Sequence, residues 1–582
     1  MTTSELRSPR SQTASGPGHG GVSSWTRGRW MTPAVFTALG AVLFLAYLAE
    51  AQKLPIFGDG SAQALQAWDM LHGNLLLHGW VLSDVSFYST ELPQYMLIEF
   101  IAGLNPEVVH IAAAMTYALL VVLTAVLAKG KATGSEAVAR ALIPIGIMLA
   151  PLLGPILSSR GNSSAWIALS APDHIGTQVP LVLTWLALDR LKSKWWLPIL
   201  VTVMLIWVEI ADSTAIFEGA LPIAAVCLVR MYRRRRPISG QWYDLFLAVG
   251  AAASVGLATA ALAAIRLHGG FAVNPAPPTL ATVTGMTNNS WVKVRNLLSL
   301  FGADFFGMKI SHALIPITHL VGVALVVWGV TRAVRRFRSD DDLAMQVVTA
   351  SFLVLLAAFI FGYRDGTREA AGLLPMGAVL AGRMLAPRIL QIRLAPALAA
   401  VLACYALSLV AQLFSPALPS PDAPLASWLR AHHLTYGLSV TWFASNGITL
   451  YGHEHLAVRD VKITASGELA RWSWNTKASW YNPQRHDARF VILNPCAPTP
   501  TTRLFDTVGR PSVAYFADGF TVLVWRTNLL AGHLPRSASL KSPAHASLSR
   551  ERGQPDQIRT SNKNSIAYQL MCGTLSGTGG GA

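Results

Sequence analysis

The residues best suited to chemistry are ionisable groups at the borders of apolar runs. Asp59 and Asp84 follow the first such run, Asp173-His174 precede another, and Asp212 and Glu218 flank a third border. Tyr363-Arg364-Asp365-Gly366-Thr367-Arg368-Glu369 fills the turn before a late apolar run. Such groups are costly to desolvate next to apolar sequence, which makes them functional candidates. Carboxylates and imidazoles move protons or bind substrate, and the forked donors of Arg364 and Arg368 suit a phosphate. Each also has a structural reading. Asp59 offsets a helix dipole, Asp173-His174 cap a helix, and the two arginines anchor at an interface.

Motifs of other chemistries are missing. The sequence has no GxxxxGK[ST], GxSxG, CxxC or HExxH, so nucleotide, serine-hydrolase, dithiol and zinc-peptidase chemistry is not expected. His432-His433 and His453-Glu454-His455 lack a third spaced ligand, so no metal site is expected. The spacing of two puts His453 and His455 on one face of a strand.

The elements that must position these groups are membrane helices. Of 582 residues, 52% are hydrophobic and 13% charged, against roughly 25% charged in a soluble domain. That excludes a soluble enzyme, a disordered chain and a small disulfide scaffold. Cys227 and Cys404 fall in apolar runs, and Cys496 and Cys572 in polar sequence. The net charge of +16 does not imply nucleic-acid binding, because Lys and Arg sit in short clusters between apolar runs.

Runs able to cross a ~30 Å hydrocarbon core lie near 32–49, 106–128, 141–158, 175–188, 196–211, 214–229, 243–265, 312–330, 344–362, 370–386 and 394–413, predicting eleven spans. An N-terminus inside puts Lys129/Lys131/Arg140, Arg190/Lys192/Lys194, Arg230 with Arg233–Arg236, Arg332/Arg335/Arg336/Arg338 and Arg388/Arg393 on the cytoplasmic side. The C-terminal part is then extracytoplasmic. Ala49-Glu50-Ala51 mimics a signal-peptidase site, but the run before it exceeds the usual roughly 7–15-residue core, so it reads as a retained helix.

The outer segment 50–105 holds Asp59, Asp69, Asp84, Glu91 and Glu99. Within it Ala62, Leu65, Trp68 and Leu71 recur every three residues over Ser61–Asn74, the stripe of a helix lying on a surface. A second apolar piece, Tyr95–Leu104, is too short to span. The outer segment 266–311 carries Pro275, Pro277, Pro278 and a polar Thr/Asn stretch. Residues 1–30 and 531–582 read as disordered tails and 414–424 as a Pro-rich linker. Over 425–530 the pattern predicts a small extracytoplasmic α/β domain. It has a short helix at Ser427–His433, a strand at Arg489–Leu493 and a hairpin over Val513–Trp525 turning at Asp518-Gly519.

Three stretches carry a family resemblance. Phe57-Gly-Asp-Gly-Ser-Ala-Gln-Ala-Leu-Gln-Ala-Trp-Asp-Met-Leu-His-Gly-Asn74, Ser83-Asp84 and Leu92-Pro-Gln-Tyr-Met-Leu-Ile98 together resemble the first periplasmic loop of GT-C-type integral membrane glycosyltransferases. Arg368-Glu-Ala-Ala-Gly-Leu-Leu-Pro-Met-Gly-Ala-Val-Leu-Ala-Gly382 is similar to a late segment of that family. Trp428-Leu-Arg-Ala-His-His-Leu-Thr-Tyr-Gly437 is similar to the start of its C-terminal domain. The resemblance implies a bundle of about eleven transmembrane helices with juxtamembrane helices in the first outer loop and a small outer α/β domain.

It also implies a reaction. Such enzymes transfer a sugar from a polyprenyl-phosphate donor to a glycan, lipid or protein acceptor of the cell envelope. By position Asp59 matches the loop acid that serves as general base, with Asp84 as its partner or substitute. Arg364 or Arg368 is the expected donor-phosphate ligand through its forked donors. Asp173, His174 and Asp212, from their own positions at the outer helix ends, are expected to bind substrate. No cofactor is expected, although Asp59 and Asp84 would hold a divalent cation if the fold joined them. Many members carry two adjacent acids, whereas Gly60 follows Asp59 here. A lipid-linked-saccharide flippase and a non-catalytic scaffold of the same fold are the alternatives.

Overall fold

The computed structural model describes residues 23–56, 58–153, 164–191, 194–234, 241–274, 279–339, 341–363, 366–418, 420–493 and 501–531. Residues 1–22 and 532–582, Arg160, Lys192, Arg235, Arg236, Pro275, Pro277, Pro278, Arg364, Asp365, Cys496 and Cys572 lie outside the described residues.

Helices dominate the first 412 residues. They run α1 (Ser23–Ala51), α2 (Gly58–Leu71), α3 (Glu91–Ala102), α4 (Glu107–Lys129), α5 (Gly134–Leu149), α6 (Ser164–Leu169), α7 (Asp173–Arg190), α8 (Leu197–Ala211), α9 (Leu221–Arg234), α10 (Trp242–Leu267), α11 (Val283–Leu300), α12 (Ile310–Arg336), α13 (Leu343–Phe361), α14 (Leu373–Gln391) and α15 (Ala395–Gln412). Every apolar run read as a span is helical over its described part. By length and composition, however, only seven described helices are able to cross a membrane: α1, α4, α5, α10, α12, α13 and α14. Helices α8 and α15 are apolar but shorter. Helices α7 and α9 are interrupted by polar groups, among them Gln178, Asp189 and Arg230.

One further expectation changes. Helix α1 starts at Ser23, inside the segment read as a disordered tail, because a nucleated helix propagates into flanking residues of neutral propensity. The Thr/Asn stretch of the outer segment forms α11, started by Thr282, whose side chain accepts from the Gly285 amide at 3.1 Å.

Lipid tails give helices no hydrophobic reason to associate, so close packing and hydrogen bonds must hold the bundle. Helix α14 is buried along nearly all its length. Gly329 of α12 lets that helix approach it, since a Cβ there would sit 2.7 Å from the Ala381 Cα. Tyr117 ties α4 to α5 by donating to the Met148 carbonyl at 2.6 Å. At the basic end Arg383 of α14 donates to the Leu127 carbonyl at 2.6 Å and pairs with Asp189 at 2.8 Å and Asp342 at 3.0 Å.

In the first outer segment, α2 begins three residues before the expected start and is buried along most of its length rather than lying on a surface. Helix α3 packs on it from one side and α17 (Trp442–Gly452) of the C-terminal domain from another. That domain opens with α16 (Asp422–Ala431), which starts inside the expected linker.

Three short strands join the domain to the bundle. Strand β1 (Trp80–Leu82) of the first outer segment pairs in parallel with β2 (Ala272–Val273) of the second. On its other side β1 pairs antiparallel with a strand of the C-terminal domain, Trp80 opposite Lys477. The domain's own strands are β3 (Tyr436–Ser439), β4 (Ala457–Ile463), β5 (Leu469–Arg471), β6 (Thr476–Lys477), β7 (Phe490–Leu493), β8 (Val513–Ala517) and β9 (Phe520–Val524). Strand β6 is the one that leaves to join β1. The others form a six-stranded sheet in the order β5-β4-β3-β7-β9-β8. Helices α16 and α17 cover one face and α18 (Thr501–Val508) the other. The predicted hairpin is present, with Asp518 (φ 50°) and Gly519 (φ 89°) supplying the two positive dihedrals of a tight turn. His453–His455 form a 3-10 turn, not a strand, because the chain must reverse between α17 and β4.

Candidate functional site

Five chain segments converge at the end of the bundle capped by the C-terminal domain. Asp59 lies in the first turn of α2, Asp84 just after β1, and Asp173 and His174 in the first turn of α7. Asp212 follows α8, and Arg368 lies in the turn before α14. A helix N-terminus favours a carboxylate, which suits Asp59 and Asp173. Asp173 has φ 40°, a left-handed conformation that costs a non-glycine residue energy and is held only where neighbours impose it.

Arg368 is the hub. Its Nη1 pairs with Asp173 Oδ2 and lies 4.0 Å from Asp59 Oδ2, and its Nη2 donates to Ser170 Oγ at 2.9 Å. Gln63 Nε2 donates to the other Asp173 oxygen at 3.0 Å. Arg368 therefore bridges two carboxylates, and its fork is already engaged. Arg364 lies outside the described residues.

A second pair stands beside the first. His174 Nδ1 is 2.6 Å from Asp212 Oδ2, which also accepts from Thr177 at 2.8 Å. The Thr214 amide and hydroxyl both reach Asp212 Oδ1 at 2.8 Å. Phe87, itself at φ 50°, sets its ring edge-on to His174 with centroids 5.9 Å apart. A π-helical turn, Ile216–Ala220, presents Glu218 to Gln178, whose Nε2 donates at 2.7 Å.

One residue escaped the sequence reading. Asn475 of the C-terminal domain donates through Nδ2 to Asp59 Oδ1 at 3.1 Å. Its own Oδ1 accepts from Gln66 Nε2 at 3.2 Å and from the Ser83 amide at 3.1 Å. Its φ of 51° is one that asparagine tolerates better than most residues. The only hint in the sequence is an Asn within an aromatic stretch, Trp472-Ser-Trp-Asn475, a turn signal that names no partner.

The two pairs differ electrostatically. Burial and the neighbouring Asp173 charge push Asp59 up to about 7, against the pull of Arg368, and the Asp84 charge adds to the rise. Burial works against Asp212 too, but the His174 charge and hydrogen bonds from His174 and Thr214 hold it down at about 2. One carboxyl thus titrates near neutrality while the other stays ionised, a division that suits proton transfer. Among the described residues, no group of three or more His, Cys, Asp and Glu side chains is placed to hold a metal ion.

Gly60 has a steric explanation. A Cβ there would sit 2.7 Å from Val109 Cγ1 and 3.0 Å from the Ala171 Cβ, so α2 presses on α4 and on the segment before α7. No second acid fits.

No family model and no curated protein matches the chain. Solved structures are similar to it at low scores. The archaeal oligosaccharyltransferase AglB from Archaeoglobus fulgidus, in complex with an inhibitory peptide and a dolichol-phosphate, has a TM-score of 0.45 and 10% identity, over 80% of this chain and 70% of that one. ArnT from Cupriavidus metallidurans in the apo state has a TM-score of 0.41 and 12% identity, over 87% of this chain and 99% of that one. The same ArnT bound to undecaprenyl phosphate gives 0.40 and 11%. Scores below 0.5 carry no argument about the chemistry of this chain.

Proposed function

We propose that this chain transfers a sugar from a polyprenyl-phosphate carrier to a cell-envelope acceptor on the outer face of the membrane, with Asp59 as general base. The observation that carries the reading is the setting of Asp59, in a covered juxtamembrane helix, 4.0 Å from Arg368, held by Asn475 and titrating at about 7. A general base works best with its midpoint near the operating pH.

The reaction balances around these groups. The acceptor oxygen bonds to the anomeric carbon, the carbon–oxygen bond to the carrier phosphate breaks, and its electron pair leaves with the phosphate. The acceptor proton passes to Asp59. Protonation removes one of the two carboxylate charges on Arg368, which leaves guanidinium charge to offset the departing phosphate. Asp173 and His174 form the polar wall for sugar hydroxyls, Asp212 stands buried behind His174 and orients it, and the Asp84 charge adds to the rise of the Asp59 midpoint. The basic clusters at the opposite end support an N-terminus inside and a C-terminal domain outside.

The test is a release assay. Purified protein is incubated with a panel of polyprenyl-phosphate sugars and a cell-envelope extract, and free polyprenyl phosphate is measured. Acceptor-dependent release from one donor is expected. No release from any donor, with acceptor supplied, would contradict the reading.

A further inference from the structure

A different site lies at the basic end of the bundle, away from the acidic cluster. An apolar groove of about 640 Å³ runs between α1 and α4, lined by Phe36, Gly40, Phe44 and Val122. Lys129, in the last turn of α4, and Arg190, in the last turn of α7, close one end of it. Gly40 keeps it open: a Cβ there would already stand 3.5 Å from Val122 Cγ2, so anything longer would enter the groove.

Length and charge identify the occupant. The groove follows α1 from Pro33 to Phe44, about 16 Å at the helical rise. That is close to half of a ~30 Å hydrocarbon core, the depth of one leaflet. It fits one acyl chain, whereas a polyprenyl chain long enough to enter the other leaflet would overrun it.

At its basic end Arg190 donates to the Val126 carbonyl at 3.3 Å and lies 3.3 Å from Asp189, with 35% of its side chain exposed. Asp189 is shared with Arg383 at 2.8 Å, which also pairs with Asp342 at 3.0 Å, so with Lys129 three basic side chains meet two carboxylates. We propose that the groove holds an acyl chain of an anionic phospholipid, with the phosphate seated between Lys129 and Arg190. The surrounding basic clusters concentrate anionic lipid at this surface, and the groove gives one molecule a fixed place.

The experiment is native mass spectrometry of the full-length protein in detergent, titrated with phosphatidylglycerol, phosphatidylcholine or undecaprenyl phosphate. Phosphatidylglycerol is expected to bind at least about tenfold more tightly than phosphatidylcholine, from the attraction of two basic side chains, and its binding, unlike that of undecaprenyl phosphate, should depend on the groove. The double variant Lys129→Gln/Arg190→Gln should lose that preference. Gly40→Phe, which fills the groove and leaves the charges, should lose the tight binding too. Thermal unfolding establishes that each variant folds, and either folded variant decides the matter. Wild-type affinity for phosphatidylglycerol in a folded variant overturns the proposal. So does equal binding of phosphatidylcholine, or undecaprenyl phosphate binding that the folded groove variants weaken as much as they weaken phosphatidylglycerol binding. Undecaprenyl phosphate binding that the variants leave unchanged belongs to the acidic end.

Discussion

Asn475 donates to Asp59 at 3.1 Å across 416 residues of sequence, so the C-terminal domain supplies part of the setting of the proposed base. The domain is thus part of the site, and the strand pairing of Trp80 with Lys477 fixes its approach. Replacing Asn475 with Ala removes one hydrogen bond to a charged group, worth about 1.5–3 kcal/mol, and should slow turnover roughly tenfold to a hundredfold. Asn475→Asp should also raise the Asp59 midpoint, by adding a negative charge to those of Asp173 and Asp84. A pH–rate profile separates the two: both midpoints shift upward, and the Asp variant shifts further, because a charge placed against the carboxylate raises its midpoint more than the loss of one hydrogen bond to it.

The wild-type pH profile follows from the sign of the Asp59 shift. A base must be ionised to act, and burial together with Asp173 raises its midpoint to about 7. Rate should therefore climb through neutrality and level off above it. Asp173→Asn removes the neighbouring charge and leaves Arg368 to Asp59, so its midpoint should fall below that of the wild type. A midpoint that rises or stays fixed contradicts the electrostatic account.

Gly60 offers a steric test. A Cβ would come within 2.7 Å of Val109 and 3.0 Å of Ala171. Gly60→Val should cost about 1–3 kcal/mol by overpacking. Gly60→Asp, which recreates a pair of adjacent acids, should lower thermal stability and fail to raise activity. A faster, equally stable Asp variant would show that the position is not limited by packing.

His174 and Asp212 form the pair whose loss should damage the fold. Asp212 is fully buried, and His174→Ala leaves its charge without a cationic partner, a loss of about 3–5 kcal/mol. The double variant His174→Ala/Asp212→Asn should recover part of that stability in thermal unfolding. No recovery would mean that the pair is not coupled.

Periodicity made much of this fold legible. The apolar runs, the hairpin at Asp518-Gly519 and the juxtamembrane helix after Asp59 are all local patterns, and each forms close to its expected bounds. Seven of the expected spans have the length and composition to cross a membrane among the described residues, and Gln178, Asp189 and Arg230 make α7 and α9 more polar than their apolar neighbours. Asp59, Asp173, His174, Asp212 and Arg368 stood out individually, because charge beside apolar sequence is conspicuous. Their pairing did not. Arg368 reaches Asp173 across 195 residues, and Asn475 reaches Asp59 across 416. Such contacts depend on tertiary packing, which no spacing rule encodes. The burial of α2 was hidden for the same reason: part of its cover, α17, comes from the far end of the chain.

The central claim is that Asp59 takes the acceptor proton. The most direct test is single-turnover transfer by wild type and Asp59→Asn, with donor binding measured separately on both. The account predicts unchanged donor affinity and a transfer rate at least about a hundredfold lower in the variant, in keeping with the ~10²–10⁴-fold contribution of general-base catalysis. A variant that binds donor and keeps pace with wild type would contradict it.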